Sequence, residues 1–548
     1  MNVDQEDDWQ AHYQQQPHNG SMKRSLADTN SCDDDDASPH RPHPIATPPF
    51  LPFDPELASV YRYRQQQSVN LGSWFVAEEW MVPSIFKCAQ EPKTAELDIA
   101  HGPNGAAILQ KHWDTFVTQP DLDYLASIGI NTVRLPVGYW SLGPAFCQDT
   151  PFQEVSQVYA NSWNRVLRAI SMAEKAGLGV LVDLHGAVGS QNGQAHSGVS
   201  DGHAGMFEAQ VNMDKTIDAL KFLVGQLTRI NNVVGIQILN EPNDDPQLPS
   251  FYSNAISRMR AVSADAINFP LYIHNGFNLP KYTEYVENRL DFVVQDHHSY
   301  FVFTPSDAAE PASQHTSDIN TQVSDSISST LPRHNLIVGE WSCALTPQSL
   351  EHEENQDTAV RDFCTAQKDV YTEKTVGWAF WSYKTEDCEQ DHAWCFLSAV
   401  KSGALPGPFF SYNISDSSFL SQTLGRPLIP LNSTFGSPPA RYDSDSLDLG
   451  LPQAIFDSVG NLHDPTLVPG SPGEKGFAEG QKTAKRFAMQ GLSKLGFVGQ
   501  YIRDSLKSGQ AGIDSKKADD CGQYEEAFLR GLKRGEDQIA QLIAAHDL

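Results

Sequence analysis

The chain has 548 residues, 40% of them apolar and ten of them tryptophan, enough for one large or two medium hydrophobic cores. Its 39 basic residues against 68 acidic ones leave a formal charge of −29, which repels phosphate backbones and anionic membranes and excludes nucleic acid as an expected partner. No uninterrupted apolar run approaches the roughly 20 residues that cross a bilayer, so no membrane span is expected.

Residues 1–55 are rich in Gln, Asp, His and Pro, with an acidic run from Asp33 to Asp36. They offer too little apolar surface to fold, and a disordered acidic tail with no partner of its own is expected. The opening Met-Asn-Val-Asp-Gln-Glu-Asp-Asp lacks the basic start and apolar stretch of a secretory signal, so the expected location is cytoplasmic. Eight cysteines are scattered at 32, 88, 147, 343, 364, 388, 395 and 521, without the dense spacing of a disulfide framework, and reduced thiols are expected. In that setting the glycosylation sequons at Asn413 and Asn432 are chance matches.

From 56 to 402, apolar runs of four to eight residues alternate with longer helical patterns, as in βα units around a parallel sheet. The expected strands lie near 69–76, 131–136, 178–183, 233–239, 271–274, 292–296, 336–339 and 377–381. Helices are expected near 155–176, 207–230, 251–266 and 358–373. Eight strands with crossover helices predict a closed (β/α)8 TIM barrel of the α/β class. An open doubly wound sheet is the alternative, but no Gly-x-Gly-x-x-Gly follows any of the runs. Residues 403–475 are loaded with Pro, Gly and Ser and are expected to be irregular. Residues 476–548 are expected to form a C-terminal helical extension, with Tyr524, Phe528, Leu532, Ile539 and Ile543 on one face packing against the barrel.

Barrel chemistry sits at the carboxyl ends of the strands, and polar residues collect there in this chain. Arg134 lies within the second run. His185 follows the third, Asn240 and Glu241 the fourth, His274 and Asn275 the fifth, and Asp296-His-His-Ser-Tyr300 the sixth. Glu340 follows the seventh, and Trp381 closes the eighth. Glu241 and Glu340 could therefore face each other across the barrel mouth. Such a pair suits glycoside hydrolysis, in which one acid protonates the leaving oxygen while another carboxylate attacks or activates water at the anomeric carbon. His298 and Tyr300, two apart in an extended stretch, share a face. His297 points the other way and reads as structural, and Asp183 is expected to face away from His185, toward the helices. Trp74, Trp80 and Trp140 suit either core or rim. Cys388, His392 and Cys395 are loosely zinc-like in spacing but lack a fourth ligand nearby, so no metal and no other cofactor is expected.

Seven ordered blocks between about 65 and 400 carry a family resemblance: Gly72 to Phe86, Val133 to Trp140, Asp183 to Gly193, Asn240-Glu-Pro242, Asp296 to Tyr300, Val338 to Ser342 and Gly377 to Glu386. Through them the chain resembles the fungal exo-β-1,3-glucanase group of glycoside hydrolase family 5, and its helical tail is similar to that of the signal-less intracellular branch. The resemblance implies a retaining hydrolase with Glu241 as acid/base and Glu340 as nucleophile. It also implies that His185, Asn240 and Glu78 hold the terminal sugar, that Trp381 stacks on it, and that Arg134, His298 and Tyr300 support the acids. On this reading Arg134 and Tyr300 keep Glu340 ionised, while burial and the neighbouring Glu340 keep Glu241 protonated. One departure stands out: Gln194 occupies a place where the group usually carries an aromatic that clamps the leaving sugar, leaving Phe303 to supply the other half.

The expected function is an exo-acting β-glucosidase for β-1,3-glucan fragments or other soluble β-glucosides. The rivals are a glycolipid or steryl β-glucosidase or transglucosylase on the same fold, and a sugar-binding scaffold that has lost turnover. The sequence carries no indication of oligomeric state.

Overall fold

The computed structural model describes residues 43–287, 289–327, 335–412, 463–509 and 511–545. Most of the acidic tail, most of 403–475 and both sequons lie outside them. Eight parallel strands close into a barrel in chain order: β1 (Gln66–Asn70), β2 (Thr132–Gly138), β3 (Gly179–Gly186), β4 (Val233–Gln237), β5 (Leu271–His274), β6 (Val293–Ser299), β7 (Leu336–Trp341) and β8 (Gly377–Phe380). Closure comes from β8 pairing with β1, Gln66 opposite Gly377 and Val69 opposite Phe380. This is the (β/α)8 barrel. Nearly every strand residue is buried, because helices cover the outside and side chains fill the inside, which is why the strands read as continuous apolar runs.

The crossover helices include Ser162–Lys175, Gln210–Leu227, Leu248–Arg260 and Gln356–Lys374, each presenting a stripe such as Val166, Ile170 and Ala173 to the barrel. The first strand lies earlier than expected. It ends at Asn70, and the chain then turns through Ser73 in a left-handed conformation, so Trp74 to Val76 belong to the loop above the barrel, with a single backbone bridge to β2 between Phe75 and Val137 among the described residues.

At the opposite end, the chain beyond 463 closes the barrel floor. Gln65 donates to the Lys494 carbonyl and Gly496 to that of Tyr63, immediately before β1. Phe497 joins a cluster with Leu181, Val234, Tyr272, Val294 and Ile337, one residue from each of β3 to β7. Tyr524, Phe528, Leu532, Ile539 and Ile543 all face one interior with Phe487 and Tyr501. The helices Pro472–Ala488 and Ala518–Ala545 cross there at close range, with Gly476, Gly480 and Gly531 against the partner backbone.

Two expectations are corrected by the structure. Residues 43–54 are not loose: Ile45 N–H donates to Asn161 Oδ1 (2.7 Å), Asp54 N–H donates to Asn231 Oδ1 (2.8 Å), and Arg229 lies over the Phe53 ring. Nor are the thiols all reduced, since Cys343 is bonded to Cys364 and Cys388 to Cys395, and Cys88 is also in a disulfide. The barrel brings Cys343, just past β7, to the helix packed beside it, a proximity that scattered spacing hides. Because Cys388 and Cys395 are bonded to each other, neither can serve as a thiolate ligand for zinc.

A Cβ on Gly531 would run into the Phe477 carbonyl. Gly531→Ala should therefore lower unfolding stability by about 1–3 kcal/mol in a denaturant titration, even though alanine is the better helix former by about 1 kcal/mol.

Candidate active site

The site is built around one buried cation. Arg134, midway along β2, is 1% exposed, and its donors reach four other strands or strand ends. Nη1 donates to Glu340 Oε1 (2.8 Å) and Asn70 Oδ1 (2.9 Å), Nε to Gln237 Oε1 (2.8 Å), and Nη2 to Asn240 Oδ1 (2.7 Å), with Asp183 Oδ2 at 3.1 Å. Asp183 thus faces the interior, not the helices. Residues two apart in a strand share a face, and Asp183 Oδ2 lies 2.7 Å from His185 Nδ1. Holding that proton fixes the His185 tautomer, so Nε2 faces the Asn240 amide at 3.3 Å and the ring stacks parallel to Trp381. Burial and Arg134 lower the His185 pKa well below its usual value, so the ring is neutral.

Asn240 and Glu241 stand side by side because the chain leaves β4 with Glu241 in the left-handed region, φ +42°. A non-glycine residue there costs on the order of 1–3 kcal/mol and needs a surrounding clamp. The loop after β3 supplies it. Gln191 Nε2 donates to the Asn240 carbonyl (2.9 Å) and Asn192 Nδ2 to that of Glu241 (3.0 Å).

His298 connects the two acids. Its Nδ1 lies 2.7 Å from Glu241 Oε1 and 3.4 Å from Glu340 Oε2, so the two carboxylates face one imidazole nitrogen. Alternation along β6 turns His298 to the site with Asp296, while His297 meets Asn275; opposite them the pairing skips Gly339, so that His298 stands beside Glu340. On its far side His298 Nε2 faces Asp296 Oδ2 (3.3 Å), whose other oxygen accepts from Gly339 N–H (2.7 Å). A Cβ on Gly339 would collide with that carboxylate. Tyr300 donates to Glu340 Oε2 (2.9 Å).

The protons are not placed as the sequence suggested. Burial works to lower His298, but Glu340, Asp296 and Glu241 together raise it to about 10. Burial raises Glu241, yet the hydrogen bond and charge of His298, with His196 and His185, bring it down to about 2. Burial lifts Glu340 to about 7 against the pull of His298 and Arg134. The sequence reading counted Arg134 for Glu340 alone, whereas its charge is shared with Asp183. It also omitted the imidazolium of His298, which lies nearer Glu241 than Glu340. With Glu340 near 7, about half of the molecules carry a proton there at neutral pH, beside the one on His298. A protonated Glu241 facing an ionised Glu340 holds the same number of protons as that half and differs from it by one internal transfer.

Around this centre, Glu78 follows β1 in the loop, buried, with Oε2 accepting from Trp80 Nε1 (2.9 Å). Burial raises it to about 8, and Glu340 and Glu241 add to the rise, so it is a neutral acid able to donate. Phe303 lies edge-on to Tyr300 and joins Trp394 and Trp80 around Tyr300 and Trp381. Trp74 and Trp140 are core residues. The structure therefore gathers Glu78, Arg134, His185, Asn240, Glu241, His298, Tyr300, Glu340 and Trp381 in one mouth, with Phe303 at its edge. Sequence reasoning missed Asn70 and Gln237 and, having placed Asp296 at a strand end, gave it no role. A polar side chain inside an apolar run was the available signal. It also missed His196, whose loop position carries none.

Glu241, His274 and His298 place ligand-type atoms within 4.8 Å of one another, a set that could suggest a metal. The donor chemistry does not fit. His274 Nδ1 accepts from Gly276 N–H (3.1 Å), which puts the ring proton on Nε2, and His298 is an imidazolium.

The chain matches the family Cellulase (glycosyl hydrolase family 5) over residues 101–387. It is 34% identical over 334 residues to glucan 1,3-beta-glucosidase 3 of Schizosaccharomyces pombe, covering 59% of this chain and 70% of that protein. It is 30% identical over 405 residues to the glucan 1,3-beta-glucosidase of Kluyveromyces lactis, covering 64% and 90%. Among solved structures, AoRut superposes with a TM-score of 0.52 over 63% of this chain and 98% of that one, at 20% identity, a likeness of fold alone.

Proposed function

The chain belongs to glycosyl hydrolase family 5 and is a glycoside hydrolase, and on that premise we propose that it is an exo-acting, retaining β-glucosidase. Its substrates on this reading are β-1,3-glucan fragments or other soluble β-glucosides. One observation carries the assignment of roles: Glu241 and Glu340 stand at the ends of β4 and β7 with one histidine nitrogen reaching both. The relatives act, by name, as glucan 1,3-beta-glucosidases, which supports the substrate class.

In the first step Glu340 attacks the anomeric carbon as Glu241 protonates the departing oxygen, so one C–O bond forms, one breaks, and the proton leaves with the aglycone. Positive charge developing at the anomeric carbon favours an ionised Glu340, already faced by Arg134 and Tyr300, and thereby draws the shared proton to Glu241. Once Glu340 is an ester its charge is gone, and Glu241 takes a proton from water as the second step returns the free acid. Glu78, His185 and Asn240 bind the terminal sugar hydroxyls, and Trp381 presents a flat face to the ring.

A second reading has one observation in its favour. Trp80, Phe303 and Trp394 extend an apolar wall beyond Tyr300, a surface suited to a lipid or steryl aglycone. For the compartment, a cytosolic enzyme would hold its thiols reduced, whereas the Cys343–Cys364 and Cys388–Cys395 pairs support an oxidising one. Thiol titration, under denaturing conditions, of protein isolated from its native cells without reductant separates the two: six fewer reactive thiols than after reduction, for these two pairs and the one that includes Cys88, favours the second.

A panel of aryl β-glucosides, laminarioligosaccharides and lipid glucosides should show glucose release from at least one class, and release from none of them overturns the β-glucosidase reading. Glu340→Ala should lose at least about 10⁴-fold in kcat, with azide restoring turnover as the α-glucosyl azide. Unchanged kinetics would place the nucleophile elsewhere. Because the transferable proton is lost as pH rises through about 7, kcat/KM of the wild type should fall on the alkaline side with an apparent pKa near that value. A flat profile to pH 9 would contradict the shared proton.

A further inference from the structure

The two oxygens of Glu241 have different surroundings. Oε1 faces His298, whose same nitrogen reaches Glu340, so this oxygen lies on the side of the nucleophile and hence of the anomeric carbon. Oε2 faces a different imidazole, that of His196, at 4.0 Å. His196 sits in the loop after β3, on the short turn Ala195–Ser197. Its side chain is 14% exposed, against 1% for His185 and 0% for His298, so of these three histidines it is the most open to solvent.

The loop holds His196 firmly. Asn192 Nδ2 lies 3.0 Å from its Nε2 and also donates to the Glu241 carbonyl, so the amide ties the ring to the backbone of the acid/base. Ser197 Oγ donates to Ser190 Oγ (2.7 Å), and Leu97 N–H donates to the Gly198 carbonyl (3.1 Å). Gly198, at φ +99°, has no room for a side chain because Trp140 lies against it. The ring is packed edge-on to His185 at 5.0 Å between centroids.

Resting on the acid/base assignment of Glu241, we propose that His196 is a specificity residue for the leaving group, hydrogen-bonding a hydroxyl next to the scissile oxygen. In a disaccharide the leaving sugar carries hydroxyls on carbons adjoining the one bonded to the bridging oxygen. A group flanking the proton donor is within reach of them. An aryl leaving group has no such hydroxyl and cannot use His196. A site built to pair a substrate hydroxyl discriminates against partners lacking it, because the polar group is then left without that partner. The substrate class follows: hydroxylated aglycones, a second sugar foremost, in preference to apolar ones.

The test compares kcat/KM of wild type, His196→Ala and His196→Asn on laminaribiose and on 4-nitrophenyl β-glucoside, with thermal melts as a check on folding. His196→Ala should lose about 10-fold on laminaribiose against about two-fold on the aryl glucoside, and His196→Asn should recover most of the difference, since an amide can also hydrogen-bond. Equal losses on both substrates would show that His196 only supports the fold or Glu241, and no loss on laminaribiose would remove it from the leaving-group site; either outcome overturns the inference. A wild type inert on both substrates would instead sink the β-glucosidase reading, so the two failures are distinguishable.

Discussion

The guanidinium of Arg134 is the constraint on which the rest of the site depends. A fully buried cation is tolerated only when its charge and its donors are met, and those of Arg134 are met by Asn70 from β1, Asp183 from β3, Gln237 from β4, Asn240 beyond it, and Glu340 from β7. Removing any one partner leaves a buried polar group short, at a cost of roughly 3–5 kcal/mol where the partner is charged. The network therefore couples barrel closure to catalytic geometry: strands in any other register would strand the arginine. It also explains why Asn70 donates to the carbonyls of Gly339, Ala379 and Phe380, fastening β1 to the two strands that complete the cylinder.

Electrostatically, the mouth is a cluster of acids with too few cations. Glu78, Asp183, Glu241, Asp296 and Glu340 share Arg134 and an imidazolium, and burial raises several of them toward or above neutrality. Such a site cannot hold every carboxylate ionised. It retains protons whose positions shift with whatever lies between the acids, and this is the property a residue needs to donate in one step and accept in the next. His298 makes the transfer short. Its own position depends on Asp296, and that of Asp296 on the missing side chain at Gly339, so a glycine three strands away from Glu241 helps set its proton.

The barrel was legible because strands buried on both sides leave continuous apolar runs, and each of the seven runs after the first fell on an observed strand. The pair of glutamates was legible because strand ends in this fold point to one mouth. Three things were not. Asp183 was turned the wrong way by misapplying the two-residue period to neighbours that share a face. The disulfides join residues 21 and 7 positions apart through tertiary proximity, which spacing alone does not encode. The proton order depended on His298 lying 2.7 Å from one acid and 3.4 Å from the other, a difference that belongs to side-chain placement and not to sequence pattern.

The division between strand and loop has a consequence for specificity. Arg134, Glu340 and His298 stand on strands β2, β7 and β6, where a substitution disturbs the barrel as well as the site. The residues that the proposed reading sets toward the leaving group, His196, Phe303, Trp80 and Trp394, come from the loops, and none of them is among the hydrogen-bond partners of Arg134. Changes in those loops can therefore re-fit the aglycone without an electrostatic penalty at the centre. His196, on the short turn of the loop after β3, is a residue of this kind: it sets an imidazole beside Glu241 without joining the arginine's hydrogen bonds.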